Sequence, residues 1–292
     1  MKSLCFVHPG KSYLPEISAY RKYFEGTYQI DVKTNTSGIE HYDIVWFFMG
    51  FYQYKAPQGQ FVVHEFASLS MAPVASLKDW IKRQFLPKPA LRVFQNKLQY
   101  REIGFDDGVP VVFRNMGVPD ALSKITRLEP EYDLIYVGSM HESRRIGPML
   151  SKLLSLNKEL KVVLLGVASE KLIEMFKAYP SIKFVGAVPY EQVPGWLAKA
   201  RYALNSIPMT AGYEIQASTK MLEYAAAGLP VISMINQWTR DLQSKYRIEC
   251  ADIDKIDQWP PQFDVSSHLP KVNDDFLWQN VIQNAGFEHY LP

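Results

Sequence analysis

Cysteine is nearly absent from this chain of 292 residues, Cys5 and Cys250 being the only two. Two thiols cannot build a disulfide framework, and neither has a His or Cys partner at metal-ligand spacing. The sequence therefore predicts a reducing compartment and no structural zinc. A surplus of one charge sign is also missing: 32 Lys and Arg residues against 30 Asp and Glu leave a formal charge of +2. A domain that neutralises a phosphate backbone carries a clustered cationic excess, so nucleic acid is set aside as a partner. Long apolar runs are lacking too. The most apolar stretch, residues 44–51, has about half the length of a bilayer-crossing helix and reads as a buried strand. The run Leu4–Val7 ahead of His8-Pro9-Gly10 is too short for a signal peptide's apolar region, which predicts a cytoplasmic chain that meets a membrane only from outside. No Gly-x-x-x-x-Gly-Lys loop, Gly-x-Gly-x-x-Gly fingerprint or Gly-x-Ser-x-Gly elbow occurs, which counts against kinase, dehydrogenase and hydrolase chemistry.

What is present is the composition of a packed protein, 47% apolar and 21% charged, so disorder and fibrous structure are excluded. The length favours two domains of about 130–150 residues. Short apolar runs at Leu4–Val7, Ile44–Phe48, Phe61–Val63, Leu91–Phe94 and Val111–Phe113 alternate with helix-like spacing. The alternation restarts after Leu128-Glu129-Pro130-Glu131, with runs at Leu134–Val137, Val162–Leu165, Lys183–Val185, Tyr202–Asn205 and Val231–Met234. The expectation is an α/β fold of two Rossmann-like, doubly wound parallel-sheet domains, 1–130 and 131–273, facing a central cleft. Residues 250–272 are rich in Pro and polar residues and read as a connector. A last helix, Phe276–Asn284, capped from Asn273-Asp274-Asp275 and presenting Phe276, Val281 and Ala285, is then expected to dock on another element.

The most informative segment runs from Ser218-Thr219-Lys220 through Glu223 to Gly228-Leu229-Pro230 and the apolar run that follows. It reads as a helix with a polar start, a glycine C-cap and a proline leading into a strand. Free N–H groups at Ser218 or Thr219 and the charge of Lys220 suit a phosphate, and Glu223, one turn on, suits a pair of vicinal hydroxyls. A capped surface helix with an i,i+3 ion pair fits the same spacing. The segment resembles the donor-binding helix of glycosyltransferases with the GT-B fold, most closely those resembling family 4. Three further blocks carry the likeness. Tyr132–Ser139 resembles the strand and turn opening the family's C-terminal domain, and Val185–Pro194 the loop whose backbone, at Val188, reads the base. Val112-Phe113-Arg114-Asn115-Met116-Gly117-Val118 resembles the Asn-x-Gly-Val element ending the N-terminal domain.

The resemblance implies transfer of a sugar from a nucleotide donor, with UDP the commonest choice, held by the C-terminal domain. The acceptor, a glycan or lipid-linked molecule of bacterial surface polysaccharide or lipopolysaccharide synthesis, is held by the N-terminal domain, on which the last helix, about 274–292, packs back. It implies no metal, the leaving diphosphate being stabilised by Lys220 and by the loop Gly138-Ser139-Met140-His141-Glu142-Ser143-Arg144-Arg145, in which Arg145 matches the family's loop lysine. Two positions depart from the pattern. Ser139 stands where the family often has Arg, and Ile215, with Glu214 beside it, stands eight residues before Glu223 where the family has a sugar-contacting Glu. Glu214 fills that role only through a one-residue slip, which leaves retention of anomeric configuration open. His64 resembles a family histidine near the donor sugar, and Glu65 is expected to orient it or act as a base toward the acceptor. Residues 78–101 hold seven basic side chains against Asp79, interleaved with Trp80, Ile81, Phe85 and Leu86, and resemble a surface for anionic lipid headgroups. Asp252-Ile253-Asp254 has the spacing of a metal-holding Asp-x-Asp, but its place in the late connector makes Asp252 a turn cap instead. A nucleotide-sugar epimerase of the same fold and a non-catalytic sugar-nucleotide sensor remain as alternatives.

Overall fold

A computed structural model describes residues 1–10, 14–49, 52–67, 74–207, 217–263 and 272–292. Its chain contacts divide into a first unit, Met1–Gly117 with Asp275–Pro292, and a second, Val118–Glu214 with Ser218–Asp274. The first contains β1 (Lys2–Val7), α1 (Pro15–Phe24), β2 (Tyr28–Lys33), β3 (Ile44–Phe48), β4 (Phe61–Phe66), α2 (Ala75–Phe85), β5 (Leu91–Phe94), α3 (Lys97–Ile103) and β6 (Val111–Phe113). The second contains α4 (Asp120–Ser123), β7 (Tyr132–Val137), α5 (Ile146–Leu156), β8 (Val162–Leu165), α6 (Glu170–Met175), β9 (Ile182–Gly186), α7 (Val193–Leu197), β10 (Ala200–Asn205), α8 (Thr219–Ala226), β11 (Val231–Ser233), α9 (Gln237–Lys245) and β12 (Cys250–Asp252). The chain then forms α10 (Asn273–Phe276) and α11 (Trp278–Ala285).

Each unit carries one six-stranded sheet, in the orders β2-β1-β3-β4-β5-β6 and β12-β11-β10-β7-β8-β9, with every described pairing parallel. Such strands are covered on both faces, which is why β3 and β8 are buried throughout and read as unbroken apolar runs. The order of connection reverses between β1 and β3 in the first sheet and between β7 and β10 in the second. Ligands of doubly wound sheets bind outside the carboxyl ends of strands at such points.

In the first sheet one face packs Cys5, Val7, Val45, Phe47 and Val62 around Ile39. The other stacks Phe6, Trp46 and Phe48 against Tyr20 of α1 and Phe287 beyond α11, Trp46 and Phe287 having centroids 5.0 Å apart. Gly117 makes room for this closure, since a Cβ there would lie 2.4 Å from the Trp278 indole. In the second unit, α5 turns Met149, Leu150, Leu153 and Leu154 onto the sheet at helical spacing.

Two expected boundaries shift. The division falls at Gly117/Val118 and not at 130/131, because α4 packs on α8 and the Leu128 N–H donates to the Ala198 carbonyl at 3.0 Å. The last helix begins at Trp278, not Phe276, because Leu277 is extended and separates α11 from the turn before it.

Candidate functional site

The loops at the reversal point of the second sheet are laced together by glycines. Gly138, after β7, has φ 143°, and Gly166, after β8, has φ 127°; both are conformations that side-chain-bearing residues avoid. A Cβ on Gly166 would stand 2.0 Å from the Gly138 carbonyl oxygen, so the two loops touch backbone to backbone. The Gly138 N–H donates to Leu165 O at 2.8 Å and the Gly166 N–H to Gly186 O at 2.7 Å, tying in the loop after β9.

The start of α8 lies across this platform. Ser218 is its N-cap, accepting from the Met221 N–H at 3.3 Å and donating to Asn205 Oδ1 at 2.8 Å. Asn205, buried at the end of β10, donates to Ser233 Oγ of β11 at 2.9 Å, so the cap is fixed to two strand ends. From the other side the Val137 N–H, ending β7, donates to the buried Tyr224 hydroxyl at 2.9 Å. The N–H groups of Thr219 and Lys220 have no partner among the described residues and are left for a ligand. Lys220 packs over Gly138, where a Cβ would meet its Cε at 3.8 Å. Its Nζ donates to Glu223 Oε2 at 2.7 Å, while the Tyr190 hydroxyl donates to Glu223 Oε1 at 2.7 Å. Glu223 is only 3% exposed, so these two donors hold a buried carboxylate. Gly138, Ser218, Thr219, Lys220 and Glu223 are thus brought together. Tyr190, Asn205, Ser233 and Gly166 join them although sequence reasoning passed them over. Asn205 carried a signal, a polar residue closing an otherwise apolar strand run.

The remaining loop residues divide. Arg144 Nη1 donates to Ser206 O at 3.4 Å, and Ser206 Oγ donates back to the Arg144 carbonyl, which sets Arg144 beside the strand end that carries Asn205. Exposed Ser139 follows Gly138, and its carbonyl accepts from the Tyr136 hydroxyl at 2.8 Å. Val188 lies in the loop after β9 with its backbone N–H and C=O unpaired among the described residues. Arg145 is different. It is the one described non-glycine residue in the left-handed region, φ 52°, at the N-cap of α5. It lines a hollow of 250 Å³ with Met140, Ile146, Leu172 and Met175, rimmed by the Glu142–Lys171 ion pair, and no described contact joins it to Lys220 or Glu223. Glu214 and Ile215 lie outside the described residues.

In the first unit the expected pairing of His64 with Glu65 is overturned. Both lie inside β4, which continues to Phe66, and consecutive strand residues point to opposite faces. His64 is buried edge-on to Phe47 at 5.8 Å, with Nδ1 unpartnered among the described residues, and burial aided by the Arg92 charge pushes its pKa down to about 3. Glu65 is fully buried on the other face, where it pairs with Arg114 and accepts from the Trp46 indole N–H at 2.9 Å. Arg114 also faces Glu16 at 3.5 Å and donates to the Tyr20 hydroxyl at 3.0 Å. Glu65 therefore neither orients His64 nor reaches solvent as a base.

The basic stretch is also redistributed. Arg92 is buried in a bidentate pair with Asp107 at 2.5 and 2.7 Å, Arg83 caps the Ile103 carbonyl at 2.6 Å, and Lys82 turns to the buried Asp79 at 3.3 Å. Outside stand Leu77, Trp80, Phe85 and Leu98 with Lys88, Lys97 and Arg101, and Glu102 is the exposed acid of α3. Trp80 and Phe85 pair at 6.0 Å. Asp252 caps a turn through the Asp254 N–H at 3.1 Å. Among the described residues no group of three or more His, Cys, Asp or Glu could hold a metal, and no helix is long and apolar enough to cross a membrane.

Residues 131–248 match the family described as "Glycosyl transferases group 1". No curated protein sequence matches the chain. Among solved structures, AviGT4, a glycosyltransferase involved in avilamycin A biosynthesis, is similar at a TM-score of 0.61 and 14% identity, over 100% of this chain and 98% of its own. Anabaena Alr3699/HepE, in complex with UDP, is similar at a TM-score of 0.59 and 9% identity, over 99% and 91%. The pneumococcal O-GlcNAc transferase GtfA, in complex with UDP and GlcNAc, is similar at 0.51 and 13%, over 85% and 51%. At these identities the likeness speaks for the fold.

Proposed function

We propose that this chain, a glycosyltransferase of the GT-B fold whose residues 131–248 match the group 1 transferases, moves a sugar from a nucleoside-diphosphate donor bound by the second unit to an acceptor bound by the first. The observation that carries the assignment is the Lys220–Glu223 pair at the open start of α8, set on the reversal point of the second sheet. In this reading the bond from the anomeric carbon to the β-phosphate oxygen breaks, its electron pair leaves with the diphosphate, and the acceptor oxygen takes its place. The Lys220 ammonium and the unpaired N–H groups of Thr219 and Lys220 stabilise the charge that develops, an electrostatic contribution that is fixed before reaction begins. Arg144 stands on the loop after Gly138 as a further phosphate cation, Val188 offers its unpaired backbone to the base, and Glu223 accepts from the ribose. The lysine and the helix dipole are assigned this work without a metal.

UDP is the expected nucleotide, a choice supported by the UDP held in the HepE and GtfA structures. The acceptor class, a glycan or lipid-linked intermediate of bacterial surface polysaccharide, and retention of anomeric configuration rest on family resemblance. The cationic, aromatic face of α2 and α3 supports peripheral contact with an anionic membrane, where a lipid-linked acceptor resides. Thermal shift against a panel of nucleoside diphosphates and nucleotide sugars tests the assignment, because a ligand that binds only the folded state raises its melting temperature. One nucleotide is expected to stabilise the parent, Glu223→Ala to lose the response and Lys220→Ala to weaken it. Variants that respond like the parent would remove the site from α8.

A further inference from the structure

We infer that Tyr190 is a positioning residue that holds the Glu223 carboxylate for a vicinal diol and thereby sets the preference for ribose over deoxyribose. The inference rests on the donor-site reading above and concerns a residue that reading does not use.

A carboxylate offers about four lone-pair sites. In Glu223 one oxygen takes the Lys220 ammonium and the other the Tyr190 hydroxyl, each at 2.7 Å. Two sites then remain, one on each oxygen, and a vicinal diol supplies two donors at that separation. The two protein donors differ in kind. Lys220 shares a helix with Glu223, ends a flexible stem, is 31% exposed and is the cation a diphosphate would attract. Tyr190 comes from a different element, the turn Tyr190–Gln192 after β9, and a ring with two torsions holds its hydroxyl. Pro189 on one side and the Gln192-to-Pro189 backbone hydrogen bond on the other hold that turn. When the ammonium turns to phosphate, the Tyr190 hydroxyl is the contact from outside the helix that still fixes the rotation of the carboxylate. Without it, Glu223 would swing toward Lys220 and present one acceptor where the ribose needs two.

The 2′-hydroxyl is the group through which this arrangement becomes visible. Dissociation constants are measured by calorimetry for UDP, GDP and ADP and for their 2′-deoxy forms, with the parent, Tyr190→Phe and Glu223→Gln. The parent is expected to prefer the ribonucleotide. Tyr190→Phe should weaken ribonucleotide binding about tenfold, leave 2′-deoxynucleotide binding nearly unchanged, and so bring the ratio close to one; a general loosening of the loop would weaken both alike. Tyr190→Leu, which removes ring and hydroxyl together, must reproduce the collapse of the ratio if Tyr190→Phe fails to fold. A folded Tyr190 variant that keeps the parent's ratio while Glu223→Gln loses it overturns this inference and leaves the donor site standing. A parent that binds none of the six nucleotides, or binds both sugars equally, overturns the donor-site reading and this inference together.

Discussion

Glu65→Gln is expected to lower the stability of the first unit and to leave nucleotide binding by the second unchanged. The Arg114 guanidinium is 1% exposed and has two carboxylates within reach, Glu65 in direct contact and Glu16 at 3.5 Å. Glu65 is the nearer of the two and also holds the Trp46 indole N–H, so the larger loss is expected at Glu65. Removing one partner of a buried pair costs about 3–5 kcal/mol. Gln keeps one carbonyl acceptor for Arg114, and the Glu16 carboxyl stays within reach at 3.5 Å, which places the expected loss at the lower end, about 3 kcal/mol. In a unit of this size that is a fall in Tm of roughly 10 °C. Differential scanning calorimetry with UDP present separates the two units if only the second binds it. Glu16→Gln/Glu65→Gln should fall further than the sum of the single variants, since Arg114 is then left with no carboxylate. A Glu65→Gln protein with an unchanged Tm and abolished sugar transfer would refute this account and restore Glu65 as a reacting group.

Gly166→Ala should cost the second unit several kcal/mol or its fold, because the new Cβ meets the Gly138 carbonyl and φ is 127°; circular dichroism and expression level report it. His64, whose pKa is about 3 when folded against an ordinary histidine value of 6.5, takes up a proton more readily when the chain unfolds. Its contribution is therefore complete above about pH 6.5 and erodes as the pH falls toward 3, and His64→Phe should flatten the acid side of the first unit's Tm profile. Trp80→Asn/Phe85→Asn should reduce co-sedimentation with vesicles containing anionic phospholipid, and in the parent that binding should weaken with salt; equal sedimentation of both proteins would remove α2 as the contact. Ser218→Ala should destabilise the second unit by about 1–2 kcal/mol, since the cap and the donor to buried Asn205 are lost together, as a denaturant titration would measure.

What was legible in the amino-acid order is whatever a few neighbouring residues decide. Unbroken apolar runs between helical spacings announced two parallel sheets. Ser218, Gly228 and Pro230 marked the ends of α8, and Asp252 announced its turn. Lys220 and Glu223 meet because three residues is nearly one helical turn. The remainder depended on which strands became neighbours. His64 and Glu65 are adjacent in sequence, yet the strand's twofold alternation sent one toward Phe47 and the other to Arg114, forty-nine residues away. The same holds for Tyr190 and Glu223, thirty-three residues apart, for Ser218 against Asn205, and for the inward turn of Arg92 to Asp107. Periodicity is written into a sequence at short range, whereas the partner of a buried charge is chosen by strand order and by the desolvation that partner must relieve, and both exist only once the chain has closed.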